Sequence, residues 1–305
     1  MKYLLPLLLL FLLIFTAGCV SLPGIFGATQ QIGGGLFVTM RPDPQTVFAG
    51  GDVRVDIDVD NHNPRSISDV FINLFDPGYL QLKGRLDGST IVPADATNSL
   101  CNRYLPAMRP GSFASLTCAL GARGIQQDYL ETTASASVAY TTDLSFLQII
   151  DIMSEDEYTR RLEQGQLVTK PKSYSYQDKN VRIDVEFSES LPMVVRNRQY
   201  YMYITVNNIG NGFINDIHAG QLLAAPAGVQ ATVDGILQTL PQGIVNCADL
   251  DDPNWSIHPS GNTFPRIACE VKMPEGVRVI ENYGLLVTLS YNYEVRGSAE
   301  VRILR

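Results

Sequence analysis

The chain lacks the sequence signatures of the common catalytic routes. It holds no G-x-S-x-G, no H-E-x-x-H and no G-x-x-x-x-G-K-S/T motif, and no histidine stands beside a candidate nucleophile. Its scattered carboxylates define no acid/base pair in sequence. Neither an enzyme nor a cofactor is expected. Metal-cluster spacing is missing too, since no two cysteines form C-x-x-C and His62, His218 and His258 lie far apart. Positive charge is scarce: 23 Lys and Arg against 31 Asp and Glu give a net charge of −8, the wrong sign for a general nucleic-acid binder. Charged residues of both signs make up only 18% of the chain, below the roughly 25% usual in soluble domains. What is present is apolar. With 305 residues, 45% of them hydrophobic, the chain can build two domains of about 100–150 residues with real cores, which excludes disorder as its main state. Its 14 Tyr and 12 Phe, with many Val, Ile and Thr, favour pleated surfaces over helices, so an all-β fold is expected.

Met1-Lys2 precedes an apolar run from Tyr3 to Phe15, the short positive start and greasy core of a secretory leader. The run ends in Phe15-Thr16-Ala17-Gly18-Cys19, which resembles the lipobox of prokaryotic lipoproteins. Ala17, Gly18 and Cys19 match that pattern, and Thr16 stands where a branched aliphatic residue is usual. The resemblance implies a leader over residues 1–18 and a lipid on Cys19. The alternatives are plain secretion and an uncut anchor, in which Tyr3 to Val20 gives about 27 Å of membrane helix. In each case the bulk of the chain faces outward, on the cell surface or the periplasmic face, and a membrane is an expected partner. Residues 19–35, rich in glycine and polar side chains, read as a flexible tether.

With Cys19 set aside, Cys101, Cys118, Cys247 and Cys269 form an even set that permits three pairings. In an exported protein the local pairs Cys101–Cys118 and Cys247–Cys269 are the economical choice, each worth about 3 kcal/mol in the chain-entropy model.

The fold argument rests on an internal repeat. Residues 36–70 match 183–217 without a gap at an offset of 147, with apolar residues on matching parity. Leu36, Val38 and Met40 fall on Ile183, Val185 and Phe187, and Val53, Val55, Ile57 and Val59 fall on Tyr200, Met202, Ile204 and Val206. Apolar residues at every second position are what one buried strand face requires. Val47/Val194, Asn61/Asn208 and Ile67/Ile214 continue the match, and Tyr140 and Tyr291 each follow a cysteine by 22 residues. Each copy opens with two patterned strands, carries an Asn-rich turn and closes with strands after its cysteine pair, an antiparallel sandwich pattern.

In Val55-Asp56-Ile57-Asp58-Val59-Asp60-Asn61 with Ser68-Asp69-Val70-Phe71-Ile72, and in Tyr203-Ile204-Thr205-Val206-Asn207-Asn208-Ile209-Gly210, the chain resembles the immunoglobulin-like modules of prokaryotic cell-surface proteins, the CARDB-like cell-adhesion-related domains in particular. Copy one departs from that pattern with Asn63-Pro64 where copy two has Gly210-Asn211. The resemblance implies two tandem sandwiches, over 36–146 and 179–305, and a spacer, adhesion or assembly role without catalytic residues. Between them, residues 147–178 are expected to form a linker whose short helix starts at a capping box of Ser154 and Glu157.

Candidate binding residues are few. Tyr201 and Tyr203 take outward positions on their strand and make either a glycan- or protein-binding face or a surface covered by the linker helix or the first domain. Trp255, alone of its kind, sits in the loop between Cys247 and Cys269, as a contact tip or tucked against its own disulfide. Asp249, Asp251 and Asp252 are a weak calcium candidate, without the D-x-D-x-D-G spacing of a proper loop. Asp56, Asp58 and Asp60 read as a solvated acidic face, because same-face residues on one strand are too far apart to chelate. Asn254-Trp255-Ser256 is a glycosylation sequon. Three functional expectations follow: a membrane-anchored display or adhesion module, an accessory subunit docked on an envelope or secretion complex, and a carbohydrate-binding surface module.

Overall fold

The computed structural model describes residues 29–33, 35–87, 90–93, 101–226, 230–233, 236–239, 244–247, 250 and 252–305. The first half holds β1 (Thr29–Gly33), β2 (Leu36–Asp43), β3 (Thr46–Phe48), β4 (Asp52–Asn61), β5 (Ile67–Asp76), β6 (Leu80–Asp87), β7 (Thr90–Pro93), β8 (Cys101–Met108), β9 (Phe113–Ala122) and β10 (Tyr129–Met153). The helix α1 (Glu155–Glu163) follows. The second half holds β11 (Ser173–Gln177), β12 (Val181–Phe187), β13 (Met193–Val194), β14 (Tyr200–Asn208), β15 (Phe213–Ile214), β16 (Ile217–His218), β17 (Leu222–Pro226), β18 (Gln230–Val233), β19 (Ile236–Thr239), β20 (Val245–Asn246), β21 (Ser256–Ile257), β22 (Ile267–Val271) and β23 (Ile280–Leu304). The all-β class expected from composition is the observed one, with antiparallel sheets throughout and two short parallel pairings.

The two closing strands decide the architecture. β10 and β23 are each 25 residues long and pair antiparallel over their whole length, from Tyr129 opposite Leu304 to Met153 opposite Ile280. They form the centre of an eight-stranded sheet, with β5 and β8 outside β10 and with β15 and β17 on the free edge of β23. A six-stranded sheet in the order β1-β2-β4-β9-β6-β7 covers one end, where β2 lies against β23 and Val38 and Met40 approach Gly297. A five-stranded sheet in the order β11-β12-β14-β22-β20 covers the other, where Phe146 of β10 stacks on Tyr176 of β11 at 3.8 Å between ring centroids. Each lobe is therefore a two-layered stack whose one layer contains half of β10 and half of β23.

The repeat is visible in this arrangement. The matched apolar residues of β2 and β4, and those of β12 and β14, are all buried. Asn61 and Asn208 do the same work at the ends of β4 and β14. Asn61 accepts from the backbone N–H of Asn63 and donates to the carbonyl of Met108, while Asn208 accepts from Gly210 and donates to Gly212. Val47 pairs in parallel with Ile303 at one end of the shared sheet, and its match Val194 pairs with Met153 at the other.

Three expectations need correction. Residues 147–153, assigned to a linker, are the last part of β10. The alternation continues through them, with Leu144, Gln148, Ile150 and Ile152 buried on the same parity as Ala134 to Tyr140. It is masked in composition by Gln148, a polar residue at an inward position, which accepts from the Tyr176 hydroxyl at 2.9 Å. The two halves are accordingly not sandwiches joined only by a helix, since β10 and β23 run through both. Residues 29–33, assigned to the tether, form β1 at the sheet edge, paired antiparallel with β2 from Thr29 opposite Met40 to Gly33 opposite Leu36. Gly35 has φ of +89°, and a Cβ would lie 2.3 Å from Oδ1 of Asn63. The acidic row on β4 is not a free solvated face, because Asp58 is buried and paired with Arg41 and Asp56 accepts from the Thr117 hydroxyl at 2.6 Å.

The buried residues of both lobes belong to one core. A specific protease site introduced at Gly165–Thr169, in the exposed segment after α1, therefore gives two fragments that stay associated once cut. Size-exclusion chromatography is expected to return the uncut elution volume and calorimetry a single unfolding transition; separate fragments under native conditions are the contrary result.

Candidate functional site

The two disulfides stand as the cysteine count implied, but they do different jobs. Cys101–Cys118, with an S–S distance of 2.09 Å, ties β8 of the shared sheet to β9 of the six-stranded sheet and so staples two layers together. Cys247–Cys269 lies beside the β20–β22 pairing and fastens neighbouring segments on one layer. Two disulfides point to an oxidising, extracytoplasmic environment. Among the described residues no helix is long and apolar enough to cross a membrane. Cys19 lies outside the described residues.

Tyr201 and Tyr203 sit on the outer face of β14, half-exposed, with ring centroids 6.2 Å apart. Arg266 covers Tyr203, its guanidinium 3.7 Å from the ring centroid. That guanidinium is held by Glu186 at 2.8 Å, and Glu186 also accepts from Lys172 at 2.9 Å. The Lys172 hydrogen bond, with Arg266 beside it, keeps the Glu186 carboxyl below the usual carboxylate range. The covering expected from a helix or the first lobe is thus supplied by one arginine. Trp255 is partly buried against the core, and its carbonyl accepts from Ala219. Among the described residues no ring contact or hydrogen bond joins it to Tyr201 or Tyr203. Nearby, His258 and Asp216 are 2.6 Å apart on the surface.

Asp249 and Asp251 lie outside the described residues. Asp252 is exposed and accepts from the backbone N–H of Asn254 at 2.9 Å, which is the work of a turn. Among the described residues no three His, Cys, Asp or Glu groups gather as a metal site. Asn254 is exposed, as a glycosylated side chain must be.

The most elaborate polar constellation was not singled out from sequence. It occupies the waist, where the Thr141–Asn292 rung marks the middle of the long ladder. Asn180, only 2% exposed, enters from the loop before β12 and donates to the hydroxyls of Tyr140 at 3.0 Å and Tyr291 at 3.2 Å. Tyr291 donates in turn to Asp178 at 2.7 Å, and the other Asp178 oxygen accepts from the backbone N–H groups of Asn180 and Val181. Tyr293 accepts from the Gly212 N–H at 2.7 Å. Gly210 has to be glycine, because a Cβ would lie 2.1 Å from the Tyr293 hydroxyl oxygen. Burial, with Asp178 beside Tyr291, pushes the ionisation of Tyr140 and Tyr291 far above the normal phenol range, so both remain neutral. Beside this node a cleft of about 250 Å³ opens to solvent, with Arg65, Asp143, Asp178 and Lys179 among its lining. Arg65 and Asp143 pair across 3.4 Å and Lys179 donates to the His62 carbonyl at 2.8 Å, so these groups bind the lobes to each other. The signal available in the sequence was the spacing shared by Tyr140 and Tyr291; nothing in it pointed to Asn180.

α1 is fastened to its surroundings. The Ser154 hydroxyl accepts from the Glu157 N–H and donates to the Arg278 carbonyl, Glu155 pairs with Arg196, and Arg196 lies 5.2 Å from the Tyr158 ring. Arg160, then Arg161, hold the Glu157 carboxyl down to about 2.

The chain matches no protein-family model, and no curated protein matches it.

Two predictions follow from these groups. Asn180→Ala leaves two buried hydroxyls short of a donor and is expected to cost ~2–3 kcal/mol in urea unfolding, with Tyr140→Phe removing part of that penalty in a double-mutant cycle. Glu157→Gln lowers the melting temperature at neutral pH. Because the folded carboxyl titrates near 2 and an unfolded one near ~4.3, the gap between variant and wild type closes as the pH falls through that window; a constant gap contradicts the ion-pair origin.

Proposed function

We propose that the chain is a non-enzymatic structural or binding protein, displayed outside the cell from a membrane anchor at its N-terminus, with an adhesion or surface-assembly role. The observation that carries this reading is the unbroken pairing of β10 with β23. At about 3.3–3.4 Å per residue, 25 paired positions make a bar roughly 80 Å long that links both lobes without a hinge loop between them. A body of this kind holds surfaces at fixed separation, which suits presentation and assembly. The two disulfides support an extracytoplasmic address, and the lipobox-like ending at Cys19 supports a lipid anchor. The layered antiparallel lobes fit immunoglobulin-like modules of the CARDB-like kind, in a version whose last strands are held in common.

The carbohydrate reading draws less from the geometry, because Arg266 occupies the Tyr203 ring face on which a sugar would stack.

Mass spectrometry of the membrane fraction tests the anchor. The N-terminal peptide is expected to begin at a lipid-modified Cys19, and Cys19→Ser is expected to move the folded protein to the soluble fraction. An uncleaved peptide spanning Cys19 refutes the lipid anchor. Affinity capture from membranes tests the role: a stoichiometric envelope complex assigns the chain to that complex as an accessory subunit in place of autonomous display.

A further inference from the structure

The shared sheet has one face against the two smaller sheets and an outer face that carries solvent-exposed side chains between the Ala139–Glu294 and Leu147–Leu286 rungs and is closed at its far end, where Asp151 is buried beside Lys170. Soluble single chains seldom gather large apolar side chains on one such face. Here two groups lie on it. Across the first lobe, Phe71, Phe75, Tyr104 and Phe213 are 37–57% exposed. Tyr104 stands opposite Phe71, Phe71 opposite Ala139, and Phe213 opposite Glu294, while Arg296 sits between the Phe75 and Phe213 rings at 5.5 and 4.7 Å. Across the second lobe, Leu147, Ile149, Leu223 and Leu286 are 38–51% exposed, with Leu147 directly opposite Leu286.

We propose that this outer face is the interface between two copies of the chain, packed face to face about a two-fold axis that crosses the strands at the Asp143–Ser290 rung. Four features of the face favour a second copy. The aromatic rung Ala139–Glu294 and the aliphatic rung Leu147–Leu286 are equally far from Asp143–Ser290 along the ladder. A two-fold there brings Phe213 of each copy over the strand β17 that carries Leu223 in the other, and Phe71 beside Leu147, twice. Between the groups the side chains are short and tied to one another, with Thr141 donating to Asn292 at 2.8 Å and Ser145 bonded to Thr288 at 3.1 Å. The two sheets can therefore approach to the usual spacing of about 10 Å. Near the axis, Arg296 pairs with Glu294 and Arg65 with Asp143 within the chain, so these charges do not oppose the contact. Finally, side chains of ~150–250 Å² each, exposed by the fractions above, offer on the order of 600 Å² per copy. Together with the polar rungs between them, that approaches the ~800 Å² per partner of a standard interface.

This inference deepens the assembly reading by naming the partner, and its readout is mass in solution, so it fails separately from membrane attachment. Sedimentation and light scattering of the purified protein are expected to give a dimer at micromolar concentration. Leu286→Glu and Phe71→Glu, both at exposed positions, are expected to weaken it by about 30-fold or more each while leaving the monomer's melting temperature unchanged. Ser290→Cys, on the proposed axis, is expected to be joined to its own copy by a bis-maleimide long enough to span the ~10 Å between facing sheets, whereas a cysteine in place of exposed Ser175 on the five-stranded sheet is not. A wild-type protein that is monomeric at about 100 µM, a dimer indifferent to both glutamates, or capture of a different protein on this face in place of the second copy overturns the proposal.

Discussion

The molecule depends on a single ladder. Over 25 rungs β10 keeps its even-numbered residues, and β23 its odd-numbered residues, on the face that meets the smaller sheets. A strand tolerates no slip by one residue when one face is buried, because every side chain would change sides. Both lobes take their register from the same pair of strands, so neither can shift without disturbing the other. β3 and β13 reinforce this arrangement by adding parallel pairings at the two far ends. Each lobe is completed by a strand from the other half of the sequence, which makes stability a property of the pair.

The waist is where such a design is most exposed to failure. Two hydrophobic lobes meet there and a polar loop has to pass between them. The answer is a hydrogen-bonded cluster in which Asn180 serves two tyrosines and Asp178 serves one tyrosine and two backbone N–H groups. Buried polar groups fix one arrangement when their partners are in place and destabilise the fold when they are not. Gly210 and Gly212 give Tyr293 room to reach this cluster. The junction therefore specifies how the lobes meet as well as holding them together.

Much of the fold was legible because pleated strands write their burial at every second position. The matched stretches Val53–Val59 and Tyr200–Val206 are strands with the expected faces buried, and both cysteine pairs formed locally. What period-two reasoning could not reveal was which strands pair. Leu144 to Ile152 carries the same alternation as the residues before it, but Gln148 interrupts it in composition, and only its partner Tyr176 explains why it is buried. Residues 29–33 read equally well as a tether or an edge strand until pairing is known. Tyr201 and Tyr203 do face outward, yet the arginine that covers Tyr203 is more than sixty positions away in sequence and was invisible to local reading. The outer-face groups are of the same kind, since Phe71, Phe213, Leu147 and Leu286 become neighbours or counterparts only through the ladder.

The direction of that ladder also sets how the protein bears tension. Traction that draws one lobe from the other runs parallel to β10 and β23 and perpendicular to the hydrogen bonds between them. Such a pull must shear many bonds at once, whereas a pull across the strands would peel them one by one. Any surface on the far lobe is thus held on a stiff strut rather than a leash.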